Sequence, residues 1–130
     1  MDIVYLCPHC RGAINAKRNI ILSTKSFGNK TGLALLHEEI GNYTVALSPS
    51  LKVNTNEIVD FFCPVCHASL NTTKGDNLAR FLRVDELGNE SNVIISRKYG
   101  ERCTFTIDDQ KKVKSYGESV RKFVDPEWYL

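Results

Sequence analysis

The chain has 130 residues, enough for one domain with a buried core and little more. Its 42% apolar and 25% charged content is that of an ordinary globular protein, and no run approaches the roughly 18 apolar residues that span a bilayer. The net charge of +2 is too small to imply a polyanionic partner by itself.

The charge is unevenly placed. Arg11, Lys17, Arg18, Lys25 and Lys30 stand against Asp2 alone in residues 1–30, a local +4. Lys52 stands against Glu38, Glu39, Glu57 and Asp60 in residues 31–70, a local −3. The leading stretch MDIVYL has an acidic second residue and no basic lead-in, so it does not read as a signal peptide. A reducing cytoplasm is the expected setting, where stable disulfides are rare. Five cysteines, an odd number, also argue against a disulfide framework.

The first informative motif is Cys7-Pro8-His9-Cys10. Taken alone it resembles the active-site motif of strongly oxidising thiol–disulfide oxidoreductases of the thioredoxin superfamily. That chemistry needs the motif to open a long helix, whose N-terminus lowers the thiol pKa. Here RGAINAKRN follows, with an early glycine, two asparagines and no sustained 3.6-residue apolar period.

Further on, Asn19–Ser26, Leu33–His37 and Tyr43–Leu47 read as strands, the last two joined by the hairpin signal Glu-Glu-Ile-Gly-Asn. Asn54–Asn56 is a polar turn, and Ile58–Phe62 runs as a strand into a second cysteine motif. Leu78–Val84, Asn92–Lys98 and Cys103–Ile107 suit an antiparallel meander. Alternation turns Cys103, Phe105 and Ile107 to one face, which makes Cys103 a core thiol. Glu118–Phe123 suits a helical turn, and the tail DPEWYL carries two aromatics and a leucine that need somewhere to dock, on this chain or on a second subunit. The expected fold is all-β with little helix, residues 1–130 forming a single β domain of antiparallel hairpins and a C-terminal meander. The 52-residue insert between Cys10 and Cys63 is expected to join the C-terminal meander in one sheet system.

The second motif decides the chemistry. Residues 61–71 read FFCPVCHASLN and residues 5–15 read YLCPHCRGAIN. Both follow one pattern, 56 residues apart: aromatic, apolar, Cys-Pro-x-Cys, any residue, a small residue, any residue, apolar, Asn. A redox dithiol needs one such motif; a tetrahedral metal needs two. Zinc takes four thiolates at about 2.3 Å, and paired Cys-x-x-Cys turns supply them two at a time. Cys7, Cys10, Cys63 and Cys66 are therefore the candidate ligands of one structural Zn²⁺ per chain.

In this pairing the chain resembles zinc-ribbon proteins, which build a metal site from two such knuckles on adjacent hairpins. Many ribbons, and rubredoxins too, place glycine after the second cysteine of a knuckle, where this sequence has Arg11 and His67. In a rubredoxin those positions help to expose an iron site, so the resemblance implies zinc rather than iron.

The remaining candidates have plainer readings. His9 and His67 lie within and beside the knuckles, where four cysteines already suffice. His37, next to Glu38 and Glu39, lacks the partners a catalytic dyad needs. There is no phosphate-binding glycine loop, Gly-x-Ser-x-Gly or His-Glu-x-x-His motif. Four thiolates leave no open position for a catalytic water, so no enzyme is expected. The expected function is a protein-interaction or regulatory module with a protein partner, no membrane, and possible self-association through the tail. One alternative is a nucleic-acid-binding ribbon with Arg11, Lys17, Arg18, Lys25 and Lys30 on phosphates and Tyr5 or Phe27 stacking on bases. Another is a thiol redox or zinc-release sensor.

Overall fold

The computed structural model describes residues 3–26, 28–72, 77–101 and 103–117. Phe27, the suggested helical turn at 118–123 and the aromatic end of the tail lie outside them. The described residues form ten strands and no helix. They are β1 (Val4–Leu6), β2 (Asn15–Ala16), β3 (Asn19–Lys25), β4 (Thr31–His37), β5 (Val45–Leu47), β6 (Asp60–Phe62), β7 (Leu78–Val84), β8 (Glu90–Ser96), β9 (Thr104–Asp108) and β10 (Val113–Tyr116).

Alternation explains the longer strands. In β3, Ile20, Leu22 and Thr24 are buried while their neighbours are half-exposed, the period-two pattern of a one-sided strand. Lys17 and Arg18 join β2 to β3 with φ of 49° and 67°, the two left-handed residues of a tight hairpin turn. Three strands lay outside the expectation: β1, β2 and β10. β2 is too short to carry a pattern, and β10 (VKSY) is an exposed edge strand with one large aliphatic residue.

The strands make two antiparallel sheets rather than the single sheet system expected. One runs β1-β7-β8-β9-β10; the other runs β2-β3-β4-β5, with β6 also on β3. The meander is therefore one sheet, and the insert between the cysteine motifs builds the other. The split follows from a duplication much longer than the eleven-residue repeat. The β3–β4 pairing Asn19↔His37 reappears as Leu78↔Ser96, and the β4–β5 pairing Ala34↔Leu47 as Val93↔Thr106, each fifty-nine residues on.

The two halves also exchange their first strands. β1 pairs with β7 of the second half through Tyr5↔Arg83, and β6 pairs with β3 of the first half through Thr24↔Phe61. Tyr5 and Phe61 lie 56 residues apart and Thr24 and Arg83 lie 59 apart, so the two registers are equivalent once the motif offset is used for the first strands. Each sheet thus borrows a strand from the other half, and the halves are related by a pseudo-twofold axis.

The core follows this symmetry. Tyr5 and Phe61, Ile14 and Leu70, Leu22 and Phe81, and Ala34 and Val93 all belong to one buried cluster between the sheets. Tyr5 meets Phe81 edge-on at 5.6 Å between ring centres, and its hydroxyl donates to the Glu38 carbonyl at 2.6 Å. Tyr5 is fully buried, so it is a core residue and not a platform for stacking bases. A second cluster contains Leu78, Ile94, Cys103, Phe105 and Ile107, as the alternation around Cys103 required.

Candidate metal centre

Each cysteine motif folds as the tip of a short hairpin, and the two tips are built alike. In the first, Cys7 N–H donates to the Gly12 carbonyl and Arg11 N–H to the Cys7 carbonyl. In the second, Cys63 N–H donates to Ala68 and His67 N–H to Cys63. The asparagine closing each repeat has the same task on both sides. Asn15 Oδ1 accepts from Tyr5 N–H at 3.0 Å, and Asn71 Oδ1 accepts from Phe61 N–H at 3.3 Å. Each side chain thereby holds the strand that delivers its cysteines.

This local frame, doubled by the pseudo-twofold axis, brings four sulfurs together. Cys7, Cys10, Cys63 and Cys66 offer sulfur atoms that all lie within 4.8 Å of one another, a group able to hold a metal ion. The contacts between knuckles are Cys7 Sγ–Cys66 Sγ at 3.8 Å and Cys10 Sγ–Cys63 Sγ at 3.7 Å. A tetrahedron of sulfurs around a metal at about 2.3 Å has edges of about 3.8 Å. Disulfide bonds are nearly 2 Å shorter than these separations.

The backbone prepares the sulfurs for negative charge. Amides of His9 and Gly12 point at Cys7 and Cys10 at 3.3 Å, and those of Val65 and Cys66 point at Cys63 at 3.3 and 3.4 Å. Such donors favour the thiolate. Burial opposes them: it pushes the Cys7 thiol up to about 12. At Cys63 burial acts in the same direction, but the Cys66 and Val65 amides together with the Cys7 and Cys66 thiols bring the thiol down to about 7. A cation among the four sulfurs would offset the cost of burying their negative charge.

The other sequence candidates stay outside this group. His9 is exposed, and its Nε2 donates to the Ser69 carbonyl at 3.1 Å, tying the first knuckle to the second. Its equivalent in the repeat is Val65, 59% exposed. His37 Nδ1 accepts from Glu39 N–H at 3.0 Å, a contact within the turn. Arg11 and His67 have φ of 58° and 65° where ribbon knuckles carry glycine. Left-handed backbone costs a side-chain-bearing residue on the order of 1 kcal/mol. His67→Gly should therefore leave stability unchanged or raise it by up to about 1 kcal/mol. A clear fall in its urea midpoint would show that the imidazole itself supports the knuckle.

Cys103 is 1% exposed and packs with Phe105 and Ile107, apart from the four sulfurs. Burial, with Glu101 adding to it, pushes its thiol up to about 12, so it remains protonated at neutral pH. Cys103→Ala should keep metal stoichiometry and cost about 1 kcal/mol through lost packing. Loss of metal in this variant would mean that the ligand set is wrong.

The five basic residues do not converge. Lys17 and Arg18 lie at one end of β3, and Lys25 and Lys30 lie together at the other, about 20 Å away at the rise of a strand. Arg11 pairs with Glu90 at 2.8 Å, both side chains largely exposed. No helix among the described residues is long and apolar enough to cross a membrane. No protein-family model, curated protein or solved structure matches the chain. The site is thus characterised by its own geometry.

Proposed function

We propose that the protein is a non-catalytic β domain closed by one structural zinc ion, and that it serves as a protein-interaction or regulatory module. The observation that carries this reading is the set of four sulfurs, delivered by two equivalent knuckles at the spacing of a tetrahedral thiolate site. Zinc bound there would cross-link the two halves of the chain at their pseudo-twofold axis. The chain's own contribution is to orient the sulfurs and to direct amide hydrogens at them. Arg11 and His67 at the positions that carry glycine in exposed iron sites support zinc over iron. With all four positions of the metal filled by cysteine, no water or substrate can be activated on it. Thiolate ligation requires reduced cysteines, which suits a cytoplasmic setting.

A protein partner is favoured over nucleic acid because the basic residues are dispersed and Arg11 is ion-paired. Oligonucleotide titration of the zinc-loaded protein tests this choice. Single- and double-stranded DNA and RNA should bind no tighter than the non-specific range of about 10⁻⁴ to 10⁻⁶ M at physiological salt. Submicromolar binding with a log–log salt slope of roughly −3 to −4, flattened by Arg11→Ala or by Lys17→Ala with Arg18→Ala, would instead establish a nucleic-acid reader.

A further inference from the structure

The core between the two sheets is not filled. A pocket of about 120 Å³, partly open to solvent, lies there, lined by equivalent residues of the two halves: Tyr5 and Phe61, Ala34 and Val93, Leu36 and Ile95. None of the four knuckle cysteines lines it. Because both members of each pair contribute, the cavity lies on the pseudo-twofold axis. The β4–β5 and β8–β9 connections line it as well, and each turns on a glycine in the left-handed region, Gly41 at φ 94° and Gly100 at φ 90°. The duplication thus reproduces the walls, and the small side chain of Ala34 leaves the space between them.

Glu38, Glu39, Arg97, Lys98 and Glu101 also border it, and the buried Arg97 Nε has no hydrogen-bond partner among the described residues, whereas three hydroxyls of the lining are satisfied. The Tyr5 hydroxyl donates to the Glu38 carbonyl, Thr24 Oγ1 donates to the Leu22 carbonyl at 3.2 Å, and the Tyr43 hydroxyl donates to the Tyr116 carbonyl at 3.0 Å. A buried water needs two to four polar partners, whereas an apolar cavity of roughly 150 Å³ lined by aliphatic and aromatic groups stays dry and takes benzene or xenon. We propose that this cavity is a binding site for a small uncharged apolar molecule of about the size of benzene. Such a ligand gains contacts with the aliphatic walls and needs no hydrogen bond from them. A charged ligand would have to shed its water against a lining that is mainly apolar.

Benzene itself is the probe, titrated into the full-length zinc-loaded protein with methyl groups followed by NMR. Saturable shifts at Ala34, Leu36, Val93 and Ile95, with a dissociation constant below about 1 mM, are expected. A rise in melting temperature should accompany them, because the ligand binds the folded state alone. Sodium benzoate should bind at least ten-fold more weakly. Ala34→Leu, which fills the space, should abolish the benzene shifts while retaining metal. If that variant fails to fold, Leu36→Phe on the half-buried wall provides the same comparison. The proposal is overturned by absence of saturable shifts up to the solubility limit of benzene, by equal binding of benzoate, or by unchanged shifts in a folded, filled variant.

Discussion

Cys63→Ser should release the metal and abolish cooperative folding at ambient temperature. Cys63 is fully buried, and its sulfur accepts from two amides and touches Cys10 of the other knuckle. Structural zinc supplies about 10–16 kcal/mol of apparent binding free energy in small peptides at neutral pH. That is comparable with the whole stability of a typical domain, about 5–15 kcal/mol. Loss of the dispersed NMR spectrum, with loss of bound metal, is the expected readout. Cys10 and Cys66 are exposed, so water can reach their places, and serine there should weaken metal binding less than at Cys7 or Cys63. Equal, small effects at all four positions would contradict a metal-closed core.

The pH dependence follows from the same linkage. Metal depresses the folded-state pKa of each ligating thiol below its unfolded value. The stability it confers is therefore present at neutral and higher pH and is lost as pH falls, when protons compete for the sulfurs. Chelation at neutral pH should mimic acidification.

Phe81→Ala should be the most damaging substitution away from the cysteines. Phe81 is 1% exposed, meets Tyr5 edge-on and contributes to the central cluster. Truncating a buried phenylalanine costs about 3–5 kcal/mol, from lost transfer free energy and the cavity left behind. Urea denaturation with metal bound should show that loss, with metal stoichiometry retained in the folded fraction. A loss below about 1 kcal/mol would mean that the sheets do not pack on this ring.

The cysteine site was legible in the sequence because its geometry is local. Proline, cysteine spacing and the closing asparagine recur in both motifs, and those same letters make the same hydrogen bonds on both sides. Strands such as β3 and β7 were legible because one-sided burial imposes alternation or an apolar run. The duplication beyond the motifs was not. Leu22 and Phe81, or Ala34 and Val93, occupy equivalent core positions, but packing constrains apolar character more tightly than identity. Three extra residues between Asn71 and β7 also shift the offset from that of the motifs. Exchange of β1 and β6 between the halves is a long-range pairing that no local pattern encodes, so the division into two sheets appears only in three dimensions.

Metal analysis of the purified protein tests the central claim most directly. Native mass spectrometry, paired with X-ray absorption at the zinc edge, should find one zinc per chain bound by four sulfurs at about 2.3 Å. Protein isolated under reducing conditions without metal, or carrying a Cys7–Cys10 disulfide while remaining folded, would contradict it.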